Sequence, residues 1–222
     1  MSQSKIKLYS YWRSSAAYRV RIALALKGLA YDTHPVHLLQ GGGEQHHPDF
    51  LALNPQGCVP AMRDGQRMIT QSLAIIEHLE ETRDQPPLLP TGSRERAFVR
   101  AVALAIACDI HPLNNLSVQQ YLEREFGVDD AGREKWMHHW LGRGLTAVEK
   151  MLDNNIALGR FASGESPGMA ECFIVPQIYN ARRFNLPLDA YPHLVSIDKA
   201  CAALPEFQAA HPDNQPDKPA DA

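Results

Sequence analysis

Tyr9-Ser10-Tyr11-Trp12-Arg13-Ser14-Ser15-Ala16-Ala17-Tyr18-Arg19-Val20-Arg21-Ile22-Ala23-Leu24 is the stretch on which the fold turns. Ile6 to Tyr9, at its front edge, reads as a short buried strand. Ser14-Ser15 stand directly ahead of a helical run, Ala16 to Lys27, which closes at Gly28. A serine before such a run can accept a hydrogen bond from a first-turn amide, and a glycine after it tolerates the left-handed conformation that ends a helix. The chain therefore opens strand, tight loop, helix.

Working outward, Tyr31 to Leu38 reads as a second strand, Gly41-Gly42-Gly43 as a loop and Pro48 to Leu53 as a short helix. Val59 to Arg63 and Arg67 to Ile69 are two more strands, joined at Asp64-Gly65, a hairpin signal. Ser72 to Glu81 is helical, and Glu77 and Glu80 read as solvated charges on it. A βαβ unit followed by a hairpin and a helix makes a small α/β domain with a mixed sheet. It resembles thioredoxin in outline but has no C-x-x-C. Asp84 to Ser93, with Pro86, Pro87, Pro90 and Gly92, reads as a linker. Beyond it the pattern is helical only: Arg94 to Phe126 (with Pro112 expected to break it), Ala131 to Asn154, Met169 to Asn185 and His193 to Ala203. The polar tail from His211 is expected to lack regular structure. The expected organisation is a thioredoxin-like α/β domain over 1–84, a linker over 85–92 and an all-α domain over 93–222.

The 222 residues are 45% hydrophobic and 21% charged, with a formal net charge of -3, so nothing in the charge balance asks for nucleic acid or an anionic membrane. The longest apolar run, Ala101 to Cys108, is short against the roughly 20 residues of a membrane span. Met1-Ser2-Gln3-Ser4-Lys5 carries no apolar signal region. Cys58, Cys108, Cys172 and Cys201 are widely and irregularly spaced, which fits a reducing cytoplasm better than a disulfide framework. The histidines do not fall at ligand spacing: His46-His47 and His138-His139 are adjacent, and His34 and His37 would face opposite sides of a strand. No metal is expected.

Three backbone features of such a domain suit a peptide-like thiol. Ser14-Ser15 sit at a helix N-terminus, where unpaired amides and a partial positive charge favour a thiolate and a hydroxyl can donate to its sulfur. The plain alternative is a helix cap. Val59-Pro60 could present the Val59 backbone to an extended ligand as a neighbouring strand would, the alternative being an ordinary proline at a strand edge. Gln71-Ser72, ahead of the next helix, offer polar side chains and fresh amides to a carboxylate, again with capping as the alternative.

Order and spacing add what each feature lacks alone. The opening stretch, Asn54-Pro55 with Val59-Pro60, and Gln71-Ser72-Leu73-Ala74-Ile75-Ile76-Glu77 resemble the zeta class of glutathione transferases. So do Asp109-Ile110-His111-Pro112-Leu113-Asn114-Asn115-Leu116-Ser117, Val175 to Phe184, and the tail Gln215-Pro216-Asp217. Within that class the chain is most similar to the maleylacetoacetate isomerases, with bacterial maleylpyruvate isomerases beside them. The resemblance implies a glutathione-dependent cis-trans isomerase of tyrosine and phenylalanine breakdown, cytoplasmic and homodimeric. Its substrate is a small acid with a cis double bond.

It further implies that Ser14 contacts the glutathione sulfur, with Ser15 following at the helix start. Gln45 and the Val59 backbone would hold the middle of the tripeptide, and Gln71 and Ser72 its γ-glutamyl carboxylate. His111, Asn115 and Ser117 would approach from the second domain or across a dimer interface. Arg13, Arg19 and Arg183 are the anion-binding candidates, with Arg13 and Arg183 sharing substrate binding and charge stabilisation. A surface ion pair is the alternative for Arg183. Two residues depart from the pattern: Ala16 stands where the family usually has cysteine, and Gly168 with Glu171 replaces a Ser/Thr–Asp capping box. A maleylpyruvate isomerase, a conjugating or dehalogenating transferase, and a glutathione-binding scaffold remain alternatives.

Overall fold

The computed structural model describes residues 6–220. They form two compact units: the first runs to Leu88 and takes in the chain again from Ala203, and the second spans Leu89–Ala202.

The first unit holds β1 (Ile6–Ser10), α1 (Ser15–Leu26), β2 (Tyr31–Pro35), α2 (Pro48–Leu51), β3 (Ala61–Asp64), β4 (Arg67–Thr70) and α3 (Ser72–Thr82). The sheet order is β2-β1-β3-β4. β1 runs parallel to β2, with Leu8 opposite Thr33, and antiparallel to β3, with Leu8 opposite Met62. The Asp64-Gly65 turn then returns β4 along β3. This is the expected mixed sheet. Two strands are shorter than expected. β3 starts at Ala61 because Pro60 has no N–H to give a ladder. β2 ends at Pro35: Val36 N–H still bonds the Ser10 carbonyl (2.8 Å), but beyond it side chains take the donors, with His37 N–H bonding the Glu44 carboxylate (2.6 Å) and the amides of Leu39 and Gln40 bonding His37 Nδ1.

Residues Ala17 to Leu24 of α1 are all buried, since α3 and α9 (Pro205–Ala210) both pack against this helix. That burial takes in Arg19 and Arg21, which are 2% and 1% exposed. Glu80 is not the solvated charge its sequence position suggested. Its carboxylate pairs with the wholly buried Lys27 ammonium (2.7 Å) and accepts Leu88 N–H (2.9 Å), while Lys27 also donates to the Arg83 and Pro86 carbonyls. Such a buried cation needs this full set of partners.

Asp64 ties the hairpin to the end of α3. It accepts both Arg83 Nη atoms (2.6 and 3.0 Å) and contacts His78 Nε2 (2.9 Å). The Arg83 hydrogen bonds hold its carboxyl below the usual aspartate range, outweighing partial desolvation, with His78 adding to the fall. A carboxyl depressed in the folded state contributes stability above its unfolded pKa and loses it as pH falls through the folded value. Asp64→Asn is therefore expected to cost about 1 kcal/mol near neutral pH, a figure discounted for the solvent around this partly exposed pair. Urea denaturation should show the variant and wild type converging as the pH is lowered through the aspartate's titration.

The second unit holds α4 (Ser93–Leu104), a π-helical segment (Ala105–Ile110), a 3-10 turn (His111–Asn114), α5 (Leu116–Phe126), α6 (Asp130–Asp153), α7 (Met169–Arg183) and α8 (Pro192–Ala202). The expected break at Pro112 is present. By length and composition alone Ser93–Phe126 would suffice to cross a membrane, but it is interrupted over 105–115, and its α4 and π-helical parts pack on α7. At the start of α7, Glu171 accepts the amides of Gly168 (2.7 Å) and Ala162 (2.8 Å), so it reaches back as the sequence allowed. Burial raises its pKa against those two hydrogen bonds.

The C-terminal part corrects two expectations. Residues from Ala203 belong to the first unit and not to a helical domain running to 222. The tail past His211 is not wholly irregular either, since it contains a 3-10 turn at Pro212–Asn214. The cause is local to α1: Arg21 Nε donates to the Ala210 carbonyl (3.0 Å), which draws α9 onto that helix.

Candidate functional site

Ser14 is the N-cap of α1. Its backbone is extended (φ -67°, ψ 117°), its Oγ accepts Ala17 N–H at 3.2 Å, and its own N–H donates to the Tyr11 carbonyl at 3.0 Å. The cap and the reactive reading are compatible. Accepting one amide uses a lone pair and leaves the hydroxyl proton to donate. The first turn of α1 carries no acidic residue, so no carboxylate of its own offsets the positive end of the helix. Ser15, the first helical residue, is buried. Ala16 follows it, half-buried, and brings no sulfur.

The loop ahead of Ser14 is held from below. Arg21 Nη1 donates to Ser10 Oγ (3.2 Å) and the Tyr11 carbonyl (3.4 Å), and Nη2 donates to the Trp12 carbonyl (2.9 Å). Tyr11, Trp12, Val36, Phe50 and Val59 form one apolar cluster, so the same packing fixes this loop and Val59. The Val59–Pro60 bond is cis, and Val59 lies outside the β-ladders. Asn54, 2% exposed, shapes the approach to it by donating to the Cys58 carbonyl (2.7 Å) and accepting Gln56 N–H (3.2 Å).

Gln71 caps α3 with φ 69° and ψ 121°. A side chain at positive φ costs about 1 kcal/mol or more and is commonly found where a site is being shaped. The Gln71 amide donates to Gln56 Oε1 at 2.8 Å. Ser72 is buried, and its Oγ accepts Arg19 Nη1 at 3.1 Å. Arg19 is therefore corrected: a guanidinium 2% exposed and bonded to Ser72 positions that serine and does not reach out to bind an acid. Gln45 is 6% exposed, and its Nε2 donates to the Leu38 carbonyl (3.3 Å). Its Oε1 is buried with no hydrogen-bond partner, an acceptor waiting for an N–H.

These residues fit glutathione. A hydroxyl and a helix N-terminus suit its thiolate, a second N-terminus behind Gln71-Ser72 suits its carboxylate, and Gln45 Oε1 suits a peptide N–H. Burial pushes the Cys58 thiol up, and that of Cys201 further, and Cys172 is buried as well.

Arg13 is half-buried, with its guanidinium 5.4 Å above the Trp12 ring. The remaining expected residues lie in the second unit. Asn115 caps α5, its Oδ1 accepting the N–H (3.1 Å) and hydroxyl (3.2 Å) of Ser117, and His111 opens the 3-10 turn just before it. Arg183 ends α7, exposed and 5.7 Å from the Phe184 ring. Sequence reasoning missed Arg21, Asn54 and Gln56. Asn54-Pro55 carried a turn signal; Gln56 carried none.

A family model described as the glutathione S-transferase N-terminal domain matches residues 13–82. The chain is 49% identical to maleylacetoacetate isomerase of Pseudomonas aeruginosa, over 97% of this chain and all of that one. It is also similar to a holo structure of maleyl pyruvate isomerase, described as a bacterial zeta-class glutathione S-transferase. That match has TM-score 0.93 and 44% identity over 96% of this chain and all of that one. A maleylacetoacetate isomerase of Anaeromyxobacter dehalogenans with glutathione bound in its active site aligns with TM-score 0.86 and 45% identity, over 98% of this chain and all of that one.

Proposed function

Since the chain belongs to the maleylacetoacetate isomerase family of zeta-class glutathione transferases, we propose that it isomerises maleylacetoacetate to fumarylacetoacetate with glutathione as cofactor. The observation that carries this reading is Ser14, whose oxygen is engaged by Ala17 N–H so that its proton is available at a helix N-terminus whose first turn carries no acid. Glutathione, when bound, supplies a thiolate that adds reversibly to the cis double bond, turns it into a rotatable single bond and leaves unchanged.

The protein's part is to favour and place that sulfur. Ser14 donates its O–H to the thiolate, and the α1 amides add positive potential. Gln71, Ser72 and the α3 N-terminus hold the γ-glutamyl carboxylate, while Gln45 and the Val59 backbone hold the peptide between. Arg13 and Arg183 take the substrate's carboxylate and the charge that develops on its carbonyl oxygen, for which a planar guanidinium suits. His111, Asn115 and Ser117 are further candidates for ligand contacts. The same reading includes a homodimer in the cytoplasm, and light scattering should return twice the 24.7 kDa chain mass.

The second reading is maleylpyruvate isomerisation, favoured by the similarity to the maleyl pyruvate isomerase structure. The test follows loss of both substrates by absorbance, with and without glutathione, while free thiol is measured alongside. Glutathione-dependent loss of maleylacetoacetate at constant thiol is the expected result. A preference for maleylpyruvate selects the second reading. Steady consumption of thiol replaces isomerisation with conjugation, and binding without either reaction would leave a scaffold.

A further inference from the structure

We propose that Asp217, near the C-terminal end, is a positioning residue for the thiol-binding serine; the inference rests on the isomerase reading above. Its carboxylate Oδ2 accepts the backbone N–H of Trp12 at 2.7 Å, across 205 residues of sequence. The other side of the same residue is held by Arg21, whose Nη2 donates to the Trp12 carbonyl at 2.9 Å. Trp12 is thus clamped by an anion at its N–H and a cation at its C=O, both charge-assisted and stronger than a neutral pair.

Trp12 lies inside the turn that delivers Ser14. Ser14 N–H bonds the Tyr11 carbonyl at 3.0 Å, so the peptide groups on both sides of Trp12 set where the serine backbone lies and where Oγ points. Among the described residues Ser14 Oγ has one partner, Ala17 N–H at 3.2 Å, so its direction depends on that backbone more than on side-chain contacts.

Asp217 is itself held in place. Gln215 Nε2 bonds the Ala209 (3.0 Å) and His211 (2.9 Å) carbonyls, and Lys218 Nζ bonds Asp213 Oδ1 (2.7 Å) and lies 5.8 Å from the Trp12 ring. Arg21 fixes Ala210 by the same guanidinium that holds Trp12. One buried side chain therefore couples the C-terminal segment to the serine loop, and Asp217 closes the ring on the far side. On this proposal the tail, expected only to lack regular structure, is a segment that completes the thiolate site.

The test uses the full chain as wild type, Asp217→Ala and Asp217→Asn. Turnover and KM for glutathione are measured, the thiol of bound glutathione is titrated by its ultraviolet absorbance, and thermal stability is recorded. Asp217→Ala is expected to lower kcat about ten- to a hundred-fold, the range a misplaced catalytic group produces. The KM for glutathione should change much less, because Gln45, Gln71 and Ser72 are untouched. The bound thiol should titrate at higher pH. Asp217→Asn keeps an acceptor oxygen for Trp12 N–H and should recover most of the turnover.

Unchanged kcat and thiol titration in Asp217→Ala, whatever its stability, would overturn the proposal. So would a loss that only tracks the folded fraction. If Asp217→Ala does not fold, Asp217→Ser, whose shorter side chain cannot span to Trp12, is read in the same way. A wild type that isomerises neither substrate defeats the isomerase reading, while a thiol titration that still moves in the variant keeps the positioning role.

Discussion

Ser14→Ala should lose isomerase turnover by about a hundred- to a thousand-fold, the usual effect of removing one aimed hydrogen-bond donor from a developing or resident anion. It should also lose about 1 kcal/mol of stability, because Ser14 Oγ caps α1 through Ala17 N–H. The two effects have different causes and can be separated. Ser14→Asp keeps a good cap at a helix N-terminus that has no other acid, so its stability should match or exceed wild type. It has no proton to donate at neutral pH, and it places a negative charge beside the thiolate, so its turnover should fall at least as far as that of Ser14→Ala. Rates at saturating glutathione and chemical denaturation of both variants give the comparison. If turnover follows stability across the pair, with Ser14→Asp active, Ser14 is a cap and nothing more.

The opening of the chain was legible because its signals are local. Ser14 before an apolar run and Gly28 after it fix both ends of α1, and Asp64-Gly65 fixes the hairpin. Each depends on residues within a few positions, where capping and turn chemistry act. The thiol and carboxylate ends of the site came with them, since Ser14 and Gln71-Ser72 are those same caps. What those caps bind came from the resemblance, because a cap that holds a ligand and a cap that only closes a helix have the same residues.

The long-range partners were not legible. Glu80 looked solvated because its buried partner Lys27 lies 53 residues away. Arg19 looked like a ligand-binding cation because an arginine next to a serine motif invites it; its real partner, Ser72, is also 53 residues distant. A signal was present in Tyr18-Arg19-Val20-Arg21-Ile22-Ala23-Leu24. Arginines set among apolar residues on every side of a helix have no solvent face to occupy, so both must be buried and satisfied inside. The return of the C-terminal segment follows from that demand, since the serine loop is served by the two Nη groups of Arg21 and the Ala210 carbonyl accepts from its Nε.

Arg21→Met tests this demand directly. The guanidinium is 1% exposed and bonds Ser10 Oγ and the carbonyls of Tyr11, Trp12 and Ala210. Methionine fills much of the volume but offers no donor. Each buried acceptor left without a partner costs about 1–3 kcal/mol, and release of the cation's own desolvation penalty offsets part of the sum. The net loss is expected to be about 3 kcal/mol or more. For a chain of this length that lowers the melting temperature by on the order of 10 °C, as calorimetry would show. Arg21→Lys should recover only part of it, since one compact ammonium cannot reach four acceptors spread across a planar fork. Release of the Ala210 carbonyl should also free α9, so limited proteolysis of Arg21→Met is expected to cut near Ala203 while wild type resists. A melting temperature within a degree or two of wild type and an intact C-terminus would mean that the apolar packing of α1 against α3 and α9 holds this unit without the guanidinium.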